Sequence, residues 1–170
     1  MRKLTPMPKQ SISSQAVSLV MWLAIVFAAA AIGSIGSSDA GTFYAQLSRP
    51  SLAPPASVFG PVWSVLYVLM GIAAWLVSRE QGARNRKAAI TLFMVQLAAN
   101  ALWSWLFFYW HNGALAFAEI LVLLALIAAT MVMFWRISRL AAILMVPYFV
   151  WVCLASVLMW TVWHRNPQLL

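Results

Sequence analysis

The chain is short of nearly everything a soluble enzyme uses. Its 170 residues contain one cysteine, Cys153, so no disulfide can close within the chain and no thiol cluster can hold zinc or an iron–sulfur centre. Acids are almost as scarce: Asp39, Glu80 and Glu119 stand against eleven Lys and Arg. The two histidines, His111 and His164, have no ligating partner at metal spacing, which argues against a haem-iron or zinc site. No nucleophile–base constellation and no glycine-rich phosphate loop can be found. Charged residues make up 8% of the chain, against about 25% in a soluble domain.

What is there is apolar. Hydrophobic residues make up 64% of the chain, above the soluble average of about 45–50%. That excludes a soluble domain and implies an integral membrane protein. The net charge of +8 would point a soluble chain toward nucleic acid. Here the basic residues lie between apolar segments, so topology accounts for them and no nucleic-acid partner is expected.

A helix crosses a hydrocarbon core about 30 Å thick with roughly 20 apolar residues. Positions 10–38, 50–78, 88–118 and 140–164 carry no charge, and each holds one span. The gap 120–135 is too short unless the helix begins near Gly113, which draws Glu119 into the membrane. The expected spans are therefore 16–37, 57–78, 88–110, 114–135 and 140–163. A segment 1–15 precedes this domain of residues 16–164, and a tail 165–170 follows it. The first span resembles a secretory signal, with Arg2, Lys3 and Lys9 before an apolar run. That run is longer than the usual h-region of about 7–15 residues, so it reads as a retained helix.

Basic residues set the orientation. Arg2, Lys3, Lys9, Arg79, Arg84, Arg86, Lys87, Arg136 and Arg139 fall on one side of a five-span chain, and only Arg49 and Arg165 on the other. The N-terminus is therefore expected in the cytoplasm. The third and fourth connections, "HNG" and "RISR", are short, which makes the last three spans antiparallel neighbours. The first connection is long, and long ordered loops are usually functional. Asp39 and Gly41 suit a turn there, and "FYAQL" a short amphipathic helix.

The loop ends in prolines. Pro54 and Pro55 have fixed φ and no backbone N–H, which suits a rigid entry into a helix, and Pro61 follows early in the second span. They read either as a stiff helix start or as a lid over a cavity. The helix faces bear on that choice. Phe59, Trp63, Tyr67 and Met70 share one face of the second span. Phe93, Gln96, Asn100, Trp103 and Phe107 do so on the third, and Tyr148, Trp151, Ala155 and Leu158 on the fifth. Amides at mid-membrane face a bundle interior and bond across helices. Three ring-rich faces with two amides either pack a core or line a pocket for a flat, mostly apolar ligand. Trp110, Trp135, Trp160 and Trp163 lie near span ends as belt residues, and Trp63, Trp103 and Trp151 lie deeper. Glu119 reads as a near-interface acid held by neighbouring donors, ahead of a proton carrier. Ala29, Gly33 and Ser37 form a small-residue run that favours close helix packing.

The order of these pieces resembles the TspO/MBR family, which includes the tryptophan-rich sensory proteins of bacteria and the mitochondrial translocator protein. Three stretches within 43–166 carry the resemblance: "FYAQLSRPSLAPPASVFGPVWSVLYVLMG", "QLAANALW" and "LMVPYFVWVCLASVLMWTVWHRN". It implies an all-α membrane protein, a bundle of five transmembrane helices with a long first loop over a pocket, assembled as a homodimer in lipid. It also implies that the proline stretch walls a pocket for porphyrins, sterols and benzodiazepine-type ligands. Trp63 and Trp151 match pocket tryptophans, Asn100, Trp103 and Ala155 match pocket-lining positions, and Glu119 matches an acidic position. The end of the fifth span departs from the family's sterol motif. Leu158, Trp160 and Arg165 stand there, with tryptophan in place of tyrosine, and His164 replaces a common arginine. The departure weakens the implication of sterol binding more than that of tetrapyrrole binding.

The expected function is thus a membrane receptor or sensor that binds porphyrins and regulates tetrapyrrole level or a stress response. No obligatory cofactor is implied; protoporphyrin or haem is the ligand. A porphyrin transporter remains an alternative, as does an enzyme that degrades protoporphyrin in light with Trp63 and Trp151 taking part. The expected location is a bacterial cell membrane, preferably the inner one, with the outer left open. The topology is testable by reporter fusions after Arg86 and after Asn166. The first should report from the cytoplasm and the second from outside; both on one side would sink the five-span reading.

Overall fold

The computed structural model describes residues 12–170, and Arg2, Lys3 and Lys9 lie outside them. Seven α-helices run α1 (Ile12–Gly36), α2 (Ala40–Gln46), α3 (Ala56–Arg79), α4 (Arg86–Ser104), α5 (Gly113–Trp135), α6 (Arg139–Leu144) and α7 (Val146–Arg165). A π-helical segment, Trp105–Tyr109, continues α4. Five stretches are long and apolar enough to cross a membrane: α1, α3, α4 with its π segment, α5, and α6 with α7. They match the five expected spans to within a few residues. Ile12–Gln15, assigned above to the leading segment, already belong to α1.

The fifth span is broken, where the sequence reading had it continuous. Pro147 sits at the start of α7 and has no N–H to give to the carbonyl of Ile143. Met145 instead closes the preceding turn, its N–H donating to the Ala142 carbonyl at 3.1 Å. The π segment was also unforeseen. There Trp110 N–H reaches back to Trp105 O at 2.9 Å and Asn112 N–H to Leu106 O at 3.0 Å. His111 then turns the chain at φ 49°, and Asn112 caps α5 by accepting from Leu115 N–H at 3.0 Å.

Helix contacts set the order of the bundle. α1 packs on α3 and α4, α4 on α5, α5 on α6 and α7, and α3 on α6. The spans thus form a closed ring in the order first, second, fifth, fourth, third. One end of the bundle holds Arg79, Arg84, Arg86, Lys87, Arg136 and Arg139; we call it the arginine end. The other, the loop end, holds α2, the first loop and the chain's C-terminus. The main core runs from Trp22, Phe93 and Phe134 through Met70 and Ile127 to Tyr148. A second cluster closes the loop end, with Phe43 and Leu47 packed on Phe107, Ala116, Met159 and Val162. Large side chains such as Val17, Val65, Val122 and Val157 stay exposed, as a lipid-facing surface requires. Trp110, Trp135 and Trp160 lie about half exposed near the bundle ends. Trp163, also read above as a belt residue, is half-buried and packs against Phe117 at 6.0 Å, as Trp160 does at 5.0 Å.

Lipid gives helices no hydrophobic reason to associate, so close packing has to hold them. The small-residue run on α1 serves this. Gly33 is buried against the backbone of Ala101 on α4. One turn on, a Cβ at Gly36 would lie 2.8 Å from Cγ of Trp105, whose indole N–H donates to the Ile32 carbonyl at 3.0 Å. Adding that atom must displace a tethered ring, whereas a Cβ at Gly60 meets nothing within 4 Å. Overpacking typically costs about 1–3 kcal/mol, while an unhindered Gly→Ala change stabilises by about 0.4–1 kcal/mol. Gly36→Ala should therefore lower the melting temperature of the detergent-solubilised protein, and Gly60→Ala should hold or raise it. The reverse order would mean that Trp105 yields freely.

Candidate ligand site

The ring-bearing faces of α3 and α7 meet beneath the first loop. Trp63 lies 5.5 Å from Tyr67 on its own helix and 6.1 Å from Tyr148 on α7. Phe59, one turn nearer the loop, makes an edge contact with Trp151 at 5.9 Å. Tyr44 of α2 packs edge-on against Phe59 at 5.5 Å, and its hydroxyl donates to the Pro54 carbonyl at 3.0 Å. An aromatic seam thus runs from the loop into the membrane, with few close backbone approaches between α3 and α7. Phe59, Trp63 and Trp151 are half-buried, and Tyr67 and Tyr148 are buried.

Asn100 closes the floor of the seam. Its Oδ1 accepts from the Tyr67 hydroxyl at 2.6 Å, a cross-helix bond between two buried groups. Other buried polar groups have no hydrogen-bond partner among the described residues: the Trp22 and Trp103 indole N–H groups, the Gln96 amide, the Tyr148 hydroxyl and both Glu119 carboxylate oxygens. This corrects two expectations. Asn100 bonds across helices but Gln96 does not, and Glu119 is not held by neighbouring donors. Its immediate neighbours along α5, Ala118 and Ile120, are apolar and offer it no side-chain donor.

Other candidates fall elsewhere. Trp103 stacks on Phe107 at 5.2 Å and packs against both the loop-end cluster and the main core, without a ring contact to Trp63 or Trp151. Ala155 packs against the main core, and Leu158 lies half-buried further along α7. Pro55 caps α3 with φ −62°, and Pro61 lies exposed within that helix.

Three features of the site escaped the sequence reading. Above the seam, an open hollow of about 400 Å³ is lined by Leu47, Arg49, Pro50, Ala53 and Pro55. The Arg49 guanidinium lies over the Tyr44 ring at 4.5 Å, so a cation sits at the mouth and an aromatic chain leads inward. Asn166, just past α7, clasps the loop. Its Oδ1 accepts from Ser48 N–H at 2.8 Å, and its Nδ2 donates to Ser48 O at 3.2 Å and to Val162 O at 2.7 Å. Residues 118 apart leave no local pattern, so only the "HRN" ending of the last stretch hinted at Asn166.

This arrangement defines a class: an all-α integral membrane protein of five spans, with an aromatic seam under a clasped loop. The profile of the TspO/MBR family matches residues 20–164. The chain is 36% identical over 154 residues to protein CrtK of Rhodobacter capsulatus, covering 89% of this chain and 96% of that one. It is 36% identical over 142 residues to the tryptophan-rich protein TspO of Chlorobaculum tepidum, covering 81% and 90% of the two chains. With the human translocator protein the identity is 38% over 126 residues, 73% of this chain and 75% of that one. The chain belongs to the TspO/MBR family.

The clasp is directly testable. A net hydrogen bond contributes about 0.5–1.5 kcal/mol, and a buried partner left unpaired costs about 1–3 kcal/mol. Asn166→Ala should raise amide exchange of residues 44–53 by about tenfold or more while α4 and α5 keep their protection. Unchanged exchange in the loop would show that Phe43 and Leu47 hold it without Asn166.

Proposed function

We propose that this protein is a membrane receptor that takes a porphyrin, or a similar flat and largely apolar ligand, into the α3–α7 seam. The ligand class it would report on is the tetrapyrroles, and its output would be their level or a stress response. The observation that carries this reading is the seam: ring contacts pair α3 with α7 at two levels, Phe59 with Trp151 nearer the loop and Trp63 with Tyr148 deeper, above the polar Tyr67–Asn100 pair. Rings that contact one another edge-on can turn to admit a planar guest between them, with stacking replacing the contacts they give up. Arg49 at the mouth suits a ligand carrying carboxylates at its edge, as porphyrins do. Among the relatives, the name tryptophan-rich sensory protein fits a receptor role, while translocator protein fits the transporter alternative.

Stacking on an indole is worth about 0.5–1.5 kcal/mol beyond area burial, and lost apolar contact adds about 25 cal/mol per Å². Trp63→Ala or Trp151→Ala should therefore weaken protoporphyrin binding about tenfold or more, since about 1.4 kcal/mol is tenfold. Trp135→Ala, at the arginine end, should leave it unchanged. Fluorescence titration of folded variants measures all three, and equal losses would place the ligand elsewhere. Product analysis in light and in darkness belongs in the same experiment. Light-dependent turnover that disappears in Trp63→Ala would replace the receptor reading with an enzymatic one.

A further inference from the structure

The arginine end carries a second hollow, about 290 Å³, between α5 and the start of the broken fifth span. Its walls are apolar and face outward: Met131, Val132 and Trp135 from α5, Ile143 and Val146 from the other side. Val132, Ile143 and Val146 are all exposed, so in a membrane the hollow opens onto lipid chains. Its rim is cationic. Arg136 lines it, and the Arg139 guanidinium lies 5.6 Å from the Trp135 ring. Neither arginine forms an ion pair, and Glu80, which ends α3, is the one acid on the same end among the described residues.

The break in the fifth span builds this feature. α6 is a separate short helix capped by Ser138, which accepts from Ala141 N–H at 3.4 Å. Any lipid fills an apolar surface hollow, but two unpaired arginines beside an interfacial tryptophan select for charge. Basic sites between spans attract anionic headgroups, at about 1 kcal/mol per Lys or Arg near the surface. Arginine also binds phosphate oxygens in pairs. We propose that this hollow is a binding site for an anionic phospholipid, with an acyl chain between Val132 and Ile143 and the headgroup phosphate held by Arg136 and Arg139.

Native mass spectrometry of the full chain, equilibrated in detergent with equimolar phosphatidylglycerol and phosphatidylcholine, tests it. Wild type should retain phosphatidylglycerol preferentially. Arg136→Gln and Arg139→Gln should each lower retention about fivefold. Ile143→Trp should lower it by filling the hollow with the charges intact. Arg84→Gln, a neighbouring cation outside the hollow, should change nothing. Equal retention of the two lipids overturns the proposal. So does a loss in Arg84→Gln that matches the others, which means diffuse surface charge. Full retention in Ile143→Trp overturns it too, as does displacement by glycerol phosphate as effective as by whole lipid, because the chain then has no seat. Should a variant fail to fold, chain-brominated lipids supply the same answer. Brominated phosphatidylglycerol should quench the fluorescence difference between wild type and Trp135→Phe more strongly than brominated phosphatidylcholine, and equal quenching counts against the site.

Discussion

Hydrocarbon supplies no hydrogen bonds, and this one constraint shapes the whole molecule. Every polar group inside a span must find its partner in the protein or remain without one. The backbone meets the demand by being helical. Small hydroxyls meet it locally: Ser64, Thr130, Ser156 and Thr161 each return their proton to the carbonyl four residues back. Larger polar groups need another helix, and the Tyr67–Asn100 bond at 2.6 Å is where α3 and α4 meet that need. The groups left unpartnered, on Trp22, Gln96, Trp103, Glu119 and Tyr148, come from four of the five spans. Of these, the Tyr148 hydroxyl lies in the seam itself.

The same constraint governs the loop end. A loop at a membrane surface cannot rely on burial alone, because the surrounding medium is apolar on one side and wet on the other. Here α2 inserts Phe43 and Leu47 among rings of the π segment and α7. Asn166 adds a directional bond to the Ser48 backbone from both ends of its amide. The π segment contributes by geometry. Its wider turn sends Trp105 toward α1 while Phe107 and Phe108 face Phe43. Such segments often mark functional sites in helices, and this one links the α1 crossing to the loop's anchor.

The two ends of the bundle differ in what they present. At the loop end the Arg49 guanidinium lies over the Tyr44 ring, which packs on Phe59 of the seam. At the arginine end, basic side chains border an apolar hollow open to lipid. Arg49 and Arg136 are both surface guanidiniums. They differ in what lies behind them: a column of rings in one case, aliphatic side chains in the other.

Much of this was legible in the sequence because hydropathy and charge act locally. Charge-free gaps fixed the number of spans, and the uneven spread of Lys and Arg assigned one set of ends to the same side. Spacing of three and four put Phe59, Trp63 and Tyr67 on one face. The family's motifs, read as "GPVW" and "PYFVW", led to the tryptophans of the seam. Other features depend on contacts between distant residues. That Phe107 meets Phe43 of α2 depends on how the loop folds back over the π turn. That Asn100 finds Tyr67 while Gln96, one turn away, finds no partner depends on where α3 crosses α4. The clasp from Asn166 to Ser48 spans most of the chain, and the break before Pro147 opens the lipid-facing hollow only because α5 lies beside it. The sequence by itself determined which segments enter the membrane and which faces are aromatic, since each follows from residues a turn apart. The tertiary structure alone decided which polar groups pair, since in a medium without other partners that is settled by where the helices cross.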